Sequence, residues 1–139
     1  MKTRIILGDD CPDSQYIDWS KHRYHDCFEK NKQEMYNLLI NSKDTVIDNV
    51  DPYLLYLTNN LIMAKVIRKN VLEDQSKGKD VSEVLKFPML ENCKIVEIDE
   101  QGNQKCIQDK NGLISSNWFD RFMKIVMDDF YVLLNYYEG

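Results

Sequence analysis

Four residues whose side chains can bind metal ions lie within 17 positions near the N-terminus. They comprise both histidines of the chain and two of its four cysteines: Cys11, His22, His25 and Cys27. Zinc takes four such nitrogen and sulfur ligands in a tetrahedron. However, Cys27 belongs to the apolar stripe of the helix predicted there, both histidines lie near its charged face, and the spacing matches no zinc pattern. We interpret them as two surface histidines, a buried thiol and a loop thiol. A metal site and a Cys–His nucleophile remain alternatives.

A group of carboxylates follows the first predicted strand. The segment Gly8–Trp19 contains four aspartates and no basic residue: Asp9, Asp10, Asp13 and Asp18. They could hold Mg²⁺ or Ca²⁺, but the segment lacks the order of an EF-hand loop, with glycine sixth and glutamate twelfth. A solvated loop that caps the next helix is the simpler interpretation. Because Tyr16 and Trp19 are residue types enriched at binding hot spots, the functional interpretation is an acidic surface facing a partner's Lys and Arg side chains.

Motifs for catalysis are absent from the sequence. It contains neither the G-x-S-x-G pattern of a serine nucleophile nor a glycine-rich phosphate loop. Gly8 and the two aspartates after it lack the further glycines of a nucleotide-binding turn. We therefore predict that the protein is not an enzyme and needs no cofactor.

Size and composition favour a single globular domain over residues 1–139, with 43% hydrophobic and 29% charged residues. A net charge of −5 argues against direct nucleic-acid binding, which requires a basic surface. The apolar runs are shorter than the roughly 18 residues of a membrane helix. The N-terminal segment MKTRIILGDD does not have the form of a secretory signal. These features predict an acidic cytoplasmic protein that does not enter membranes.

The elements that must position these residues are organised around an apolar helix at Asp51–Leu72. Large aliphatic side chains cover most of its circumference, so the helix must be covered on several sides. Asp51 and Pro52 are typical of a helix start. Lys65, Arg68 and Lys69 suit the negative end of the helix dipole.

Around this helix the patterns predict an α+β fold, with three main helices plus one short helix packed with a small, mostly antiparallel sheet. The predicted strands are an N-terminal strand, a hairpin in the C-terminal half and the beginning of a further strand: Thr3–Leu7, Lys94–Asp99 with Gln104–Gln108, and Leu113–Ile114. The other predicted helices are Ser20–Asn41, a short one from Asp80 to Pro88, and a last one capped by Asn117. Gly8–Trp19, Ser42–Val50 and Glu73–Lys79 are predicted to connect these elements.

The last helix allows two interpretations. Its apolar face is wide and aromatic, with Phe119, Phe122, Phe130, Tyr131, Tyr136 and Tyr137. Packing against the central helix is the simpler interpretation. The alternative is a homodimer face or a partner site, because Met123, Tyr136 and Tyr137 exceed what one core covers.

The leading functional hypothesis is a small protein-binding inhibitor of the immunity-protein or antitoxin kind, which covers the basic active site of a toxin or nuclease. The expected partner surface consists of Asp9, Asp10, Asp13, Tyr16, Asp18, Trp19, Glu97, Asp99 and Glu100. Charge there would mainly speed association and set specificity. The closing pattern NGLISSNWFDRF, over about 25 residues, is similar to the ends of some contact-dependent-inhibition immunity proteins. We transfer no binding residue from that similarity and assign no family.

Two other classes of function stay open at this point. One is a viral or phage accessory protein that acts as a helical interaction module, as a monomer or a homodimer. The other is a metal-binding protein that uses Cys11, His22, His25 and Cys27.

Overall fold

The computed structural model describes residues 2–9, 13–22 and 28–138. Along the chain its elements are β1 (Lys2–Leu7), β2 (Gln15–Asp18), a 3₁₀ turn (Trp19–Lys21), α1 (Phe28–Asn41), β3 (Thr45–Asp48), α2 (Pro52–Ser76), α3 (Ser82–Leu85), β4 (Cys93–Ile98), β5 (Gln104–Cys106) and α4 (Ser116–Glu138). The α+β class predicted from the sequence is confirmed.

The five strands form one sheet in the order β2-β3-β1-β4-β5. All neighbouring pairs are antiparallel except β2 and β3, which run parallel. In β1, Ile5 is paired with Ile47 of β3 on one side and Ile95 of β4 on the other. Side chains directly opposite each other on neighbouring strands project to the same side of the sheet, so these three isoleucines share one sheet face. That face carries the core, because all three are fully buried.

Helices α1 and α2 cover this face of the sheet. Met35 and Leu39 of α1 and Leu54 and Leu61 of α2 belong to the same buried cluster as Ile5. The predicted start of α2 is confirmed, since Asp51 Oδ1 accepts the Leu54 N–H at 2.8 Å. The helix continues to Ser76, so Glu73–Ser76, predicted as loop, is its last turn.

Two strands lie in segments predicted to be connections. These are β2, within Gly8–Trp19, and β3, within Ser42–Val50. All four residues of β3 are buried, so the strand lacks the apolar–polar alternation that predicts a half-exposed strand. Each of the two strands is four residues long and contains an aspartate, which is rare in strands.

The remaining predictions differ from the structure mainly at element boundaries. Residues 28–41 of the predicted Ser20–Asn41 helix form α1, whereas its beginning forms the 3₁₀ turn; residues 23–27 lie outside the described residues. The predicted third strand is reduced to a single bridge between Gln108 and Ile114. The last helix forms, but it begins at Ser116, so the predicted cap Asn117 lies inside its first turn and the Ser115 hydroxyl instead accepts the Trp118 N–H at 3.3 Å. Its expected packing against the central helix, however, is limited to its first turn.

Candidate functional site

The first turn of α4 is firmly attached to the rest of the structure. Phe119 is only 4% exposed, and its ring stacks on Tyr56 of α2 with the centroids 3.8 Å apart. Glu97 Oε1 accepts hydrogen bonds from Trp118 Nε1 at 2.6 Å and from Arg121 Nη2 at 3.0 Å. Apolar stacking and a charge-assisted pair together hold the beginning of the helix in one orientation.

Two polar side chains fix the connection that leads into α4. Asn59 of α2 accepts the Ile114 N–H at 2.8 Å and donates to the Ile114 carbonyl at 3.2 Å. Gln108 accepts the Ile95 N–H at 2.8 Å and donates to the Gly112 carbonyl at 2.8 Å. Asn59 satisfies both backbone groups of Ile114 in a segment with little regular pairing, and Gln108 connects this segment, at Gly112, to Ile95 of β4.

Beyond this anchored start, the apolar side chains of α4 are uncovered. Nine large side chains are half exposed or more: Met123, Ile125, Val126, Phe130, Tyr131, Val132, Leu133, Tyr136 and Tyr137. We call these nine residues the α4 face. Tyr136 and Tyr137 are each 89% exposed, and none of the described side chains from 123 to 137 is buried. The predicted packing of this helix against α2 is therefore wrong after its first turn.

The polar side chains of α4 form a narrow stripe. At 100° per residue, most of them fall within about one third of the helix circumference. The stripe consists of Asn117, Asp120, Arg121, Lys124, Asp128 and Asn135. Two positions are exceptions: Asp129 lies inside the apolar arc, and Tyr131 lies inside the polar stripe, between Asp120 and Lys124. An arc this wide is typical of a helix that is covered on more than one side.

The area of the α4 face exceeds what is usual for a protein surface. Each half-exposed side chain of this size presents on the order of 100 Å². The nine together therefore expose about 1,000 Å², whereas the largest apolar patch of a typical monomer is about 300–600 Å². Patches of this size mark interaction sites in soluble proteins.

A cavity of about 510 Å³ opens at the foot of α4. It is lined by Lys2, Thr3, Asn49, Val50, Pro52, Leu55, Glu97, Trp118 and Arg121. The two cations of this lining are already paired, Lys2 with Asp48 at 3.3 Å and Arg121 with Glu97 at 3.0 Å. The cavity therefore offers mainly apolar wall, from Pro52, Leu55 and Trp118, beside charges that neutralise each other.

A second polar cluster lies on the sheet face opposite the core. Buried Asp48 accepts hydrogen bonds from Arg4 Nε at 2.6 Å, Arg4 Nη2 at 2.9 Å and the Tyr16 hydroxyl at 2.8 Å. Burial alone would raise the pKa of Asp48, but these hydrogen bonds and the Arg4 charge lower it to about 2. The hydrogen bond to Asp48 also raises the pKa of Tyr16. This cluster joins β1, β2 and β3, so its role is structural.

The structure removes two residues from the predicted partner surface. Trp19 is 3% exposed and belongs to the core cluster, so it cannot serve as an exposed hot spot. Glu97 is 8% exposed, and its carboxylate binds Trp118 and Arg121 of the same chain. Tyr16 is 60% exposed, although its hydroxyl is engaged with Asp48. The sequence pattern could not identify Glu97 as buried, because α4 covers this residue at the end of β4 and the strand pattern does not indicate where α4 lies.

The remaining acidic residues are divided between the two ends of the sheet. Because β1 and β4 are antiparallel, Leu7 pairs with Cys93 and Lys2 pairs with Ile98. Exposed Asp9 and Asp13 therefore adjoin one end, and Asp99 and Glu100 lie at the other, about 20 Å away along six-residue strands. The predicted single surface is thus not contiguous. Asp10 lies outside the described residues.

Two of these acidic side chains also hold local structure. Asp99 accepts the N–H groups of Gln101 at 3.0 Å and Asn103 at 2.8 Å in the hairpin turn, and the Asn103 contact lowers the pKa of Asp99. Asp18 accepts from the Ser20 hydroxyl at 2.6 Å and from the Asn49 amide at 2.9 Å, and these bonds lower the pKa of Asp18.

Of the metal-ligand candidates, only His22 lies within the described residues; Cys11, His25 and Cys27 fall outside them. The His22 ring stacks on Trp19 with centroids 5.3 Å apart. Within residues 2–9, 13–22 and 28–138, no three His, Cys, Asp or Glu side chains come close enough together to hold a metal ion.

Compared with protein-family models, curated proteins and solved structures, the chain has no significant match. In the described part of the chain, every helix falls short of the length and apolar character that a bilayer span requires. The candidate site is therefore defined by its own geometry, as the α4 face and the cavity at its foot.

The sequence identified most of this site. Seven of its nine residues were assigned to a wide apolar face, with a dimer or partner site as the alternative: Met123, Val126, Phe130, Tyr131, Leu133, Tyr136 and Tyr137. Ile125 and Val132 were overlooked, because they lie outside the stripe of the helix that was expected to face the core. Apolar residues both inside and outside that stripe were the signal that one core could not cover this helix.

Proposed function

We propose that this protein acts by binding another protein chain through the α4 face. The observation that supports this proposal is the combination of an anchored first turn with about 1,000 Å² of exposed apolar surface after it. A helix held at one end presents its side chains in a fixed geometry, so little conformational entropy of α4 is lost when a partner binds.

The residue types of the α4 face suit protein recognition. Tyrosine and phenylalanine are large and rigid, and aromatic residues and methionine are enriched at interfaces. An amphipathic helix that inserts its apolar side into a partner is a common recognition mode. The charged residues of α4 suit a lipid surface poorly, because four are acidic and only Arg121 and Lys124 are basic.

The inhibitor hypothesis remains a prediction about the identity of the partner, namely that it is a basic toxin or nuclease. Asp9 and Asp13 are exposed and could steer a basic toxin toward one end of the sheet. Since the acidic residues are divided between two ends, such a toxin would contact only some of them.

Capture of binding partners from the native cell extract tests the proposed function. The test variant carries Val126→Asp and Leu133→Asp, which place two charges in the α4 face. The control carries Asn117→Asp and Asn135→Asp, which add the same charge to the polar stripe. We expect the wild type and the control to retain the same protein, which the test variant loses by at least about tenfold.

Equal recovery by all three proteins would show that binding does not use the α4 face and would contradict the proposal. Inhibition of a recovered basic toxin or nuclease would support the inhibitor hypothesis as well. Circular dichroism of the variants checks that the helix is retained, which we expect because both substituted side chains are exposed.

A further inference from the structure

We propose that the chain which covers the α4 face is a second copy of this protein, whose α4 packs antiparallel to the first. This inference rests on the proposed function and names the partner. Its three supports are the area of the face, the position of one carboxylate, and the distance from the face to the cavity at the foot of α4.

The area fits a helix pair. A specific protein interface buries at least about 1,000 Å² in total, counted over both partners. One neighbouring helix covers about half of the circumference of α4, so it would bury the side of the α4 face on which Ile125, Val132, Leu133 and Tyr136 lie, about 500 Å² of apolar surface on each copy. Since a twofold dimer uses the same side of both copies, a single contact buries this area twice.

Charge decides the direction of the two helices. Asp129 lies within the apolar arc, where a packed neighbour would remove it from water. In a parallel pair it would lie beside Asp129 of the other copy, and like charges repel. In an antiparallel pair with its twofold axis near Ile125, Asp129 becomes level with Arg121 of the second copy. A guanidinium has five N–H donors, so Arg121 can bind Glu97 and this carboxylate together.

The same register gives the cavity an occupant. Helix α4 has 23 residues and is about 34 Å long, so the two bodies lie at opposite ends of the pair. With the axis near Ile125, Tyr136 and Tyr137 of one copy extend just past the first turn of the other α4. There the 510 Å³ cavity presents Pro52, Leu55 and Trp118. We assign Tyr136 of one copy, which lies on the same side of α4 as Ile125, to this recess in the other.

Sedimentation equilibrium of the full chain, from about 1 to 100 µM, measures the association. We expect a monomer–dimer equilibrium for the wild type and for the variant with Asn117→Asp and Asn135→Asp. We expect at least about tenfold weaker dimerisation for the variant with Ile125→Asp and Val132→Asp, which lie on the side of α4 nearest the twofold axis. A wild type that is monomeric throughout, or a dimer that the test variant leaves intact, would overturn the proposal.

Asp129→Asn tests the direction of the helices by the sign of its effect. In the antiparallel pair it removes a partner of Arg121 and should weaken dimerisation about threefold. In a parallel pair it would relieve repulsion and tighten the dimer, which would overturn the proposed arrangement.

Failure of this inference can be separated from failure of the proposed function. If the chain is monomeric but captures a different protein through Val126 and Leu133, the homodimer is wrong and the binding function of the α4 face stands. If it is monomeric and captures nothing that depends on these residues, both are wrong.

Discussion

Asp48 shows how a single buried carboxylate can hold a sheet together. It accepts two hydrogen bonds from Arg4 and one from Tyr16, so strands β1, β2 and β3 share one anion. Nothing in the local pattern TVID predicts this role, because the partners of Asp48 lie 32 and 44 positions away. Residue type alone could suggest only that an aspartate buried in a strand must be paired.

Asp48→Asn should make unfolding easier and change its dependence on pH. The pKa of Asp48 is about 2 in the folded chain and 3.8 ordinarily, so its contribution is present above pH 4 and is lost as pH falls from 4 toward 2. This contribution is about 2 kcal/mol. Urea unfolding of the variant should therefore show a weaker loss of stability over that interval.

At pH 7 the same variant should lose about 3 kcal/mol, because Arg4 keeps its charge without the carboxylate. The matched control is Asp13→Asn at an exposed position. If wild type and variant lost stability in parallel between pH 4 and pH 2, another carboxylate would be responsible.

At the scale of elements, long periodic patterns were predictable and short strands were not. Helix α2 and the β4–β5 hairpin follow from a capped apolar helix and an alternating pair with a glycine turn. Strands β2 and β3 were overlooked, because each needs a neighbour to complete its pairing and neither shows alternation. The connection into α4 depends on Asn59 and Gln108, whose polar side chains appear in the sequence only as interruptions of their elements.

Asn59→Ala should loosen the connection into α4. The Ile114 N–H and carbonyl would each lose a side-chain partner, which costs about 2 kcal/mol in the free energy of unfolding. Faster hydrogen exchange at Ile114 and in the first turn of α4 should accompany this loss. Asn70→Ala, at an exposed position of the same helix, is the control and should be neutral or slightly stabilising. Equal stability of both variants would show that Asn59 does not hold this connection.

At the scale of the whole molecule, the main feature is a helix that the rest of the described structure leaves uncovered. The sequence shows how wide the apolar arc of α4 is, but which part of it becomes buried depends on where the first turn is attached. Phe119 lies against Tyr56, and the described side chains from 123 to 137 are then half-buried or exposed. We propose that a protein partner covers this helix, and the positions of Arg121 and Asp129 in α4 support a second copy as that partner.

Hydrogen exchange of α4 at low and high protein concentration tests this account most directly. With association through the α4 face, backbone amides from 123 to 137 should exchange several times more slowly at about 100 µM than at 1 µM. The amides of β1 and β4 should not change and serve as the internal reference. Exchange in α4 that is independent of concentration would contradict the pairing of two α4 helices.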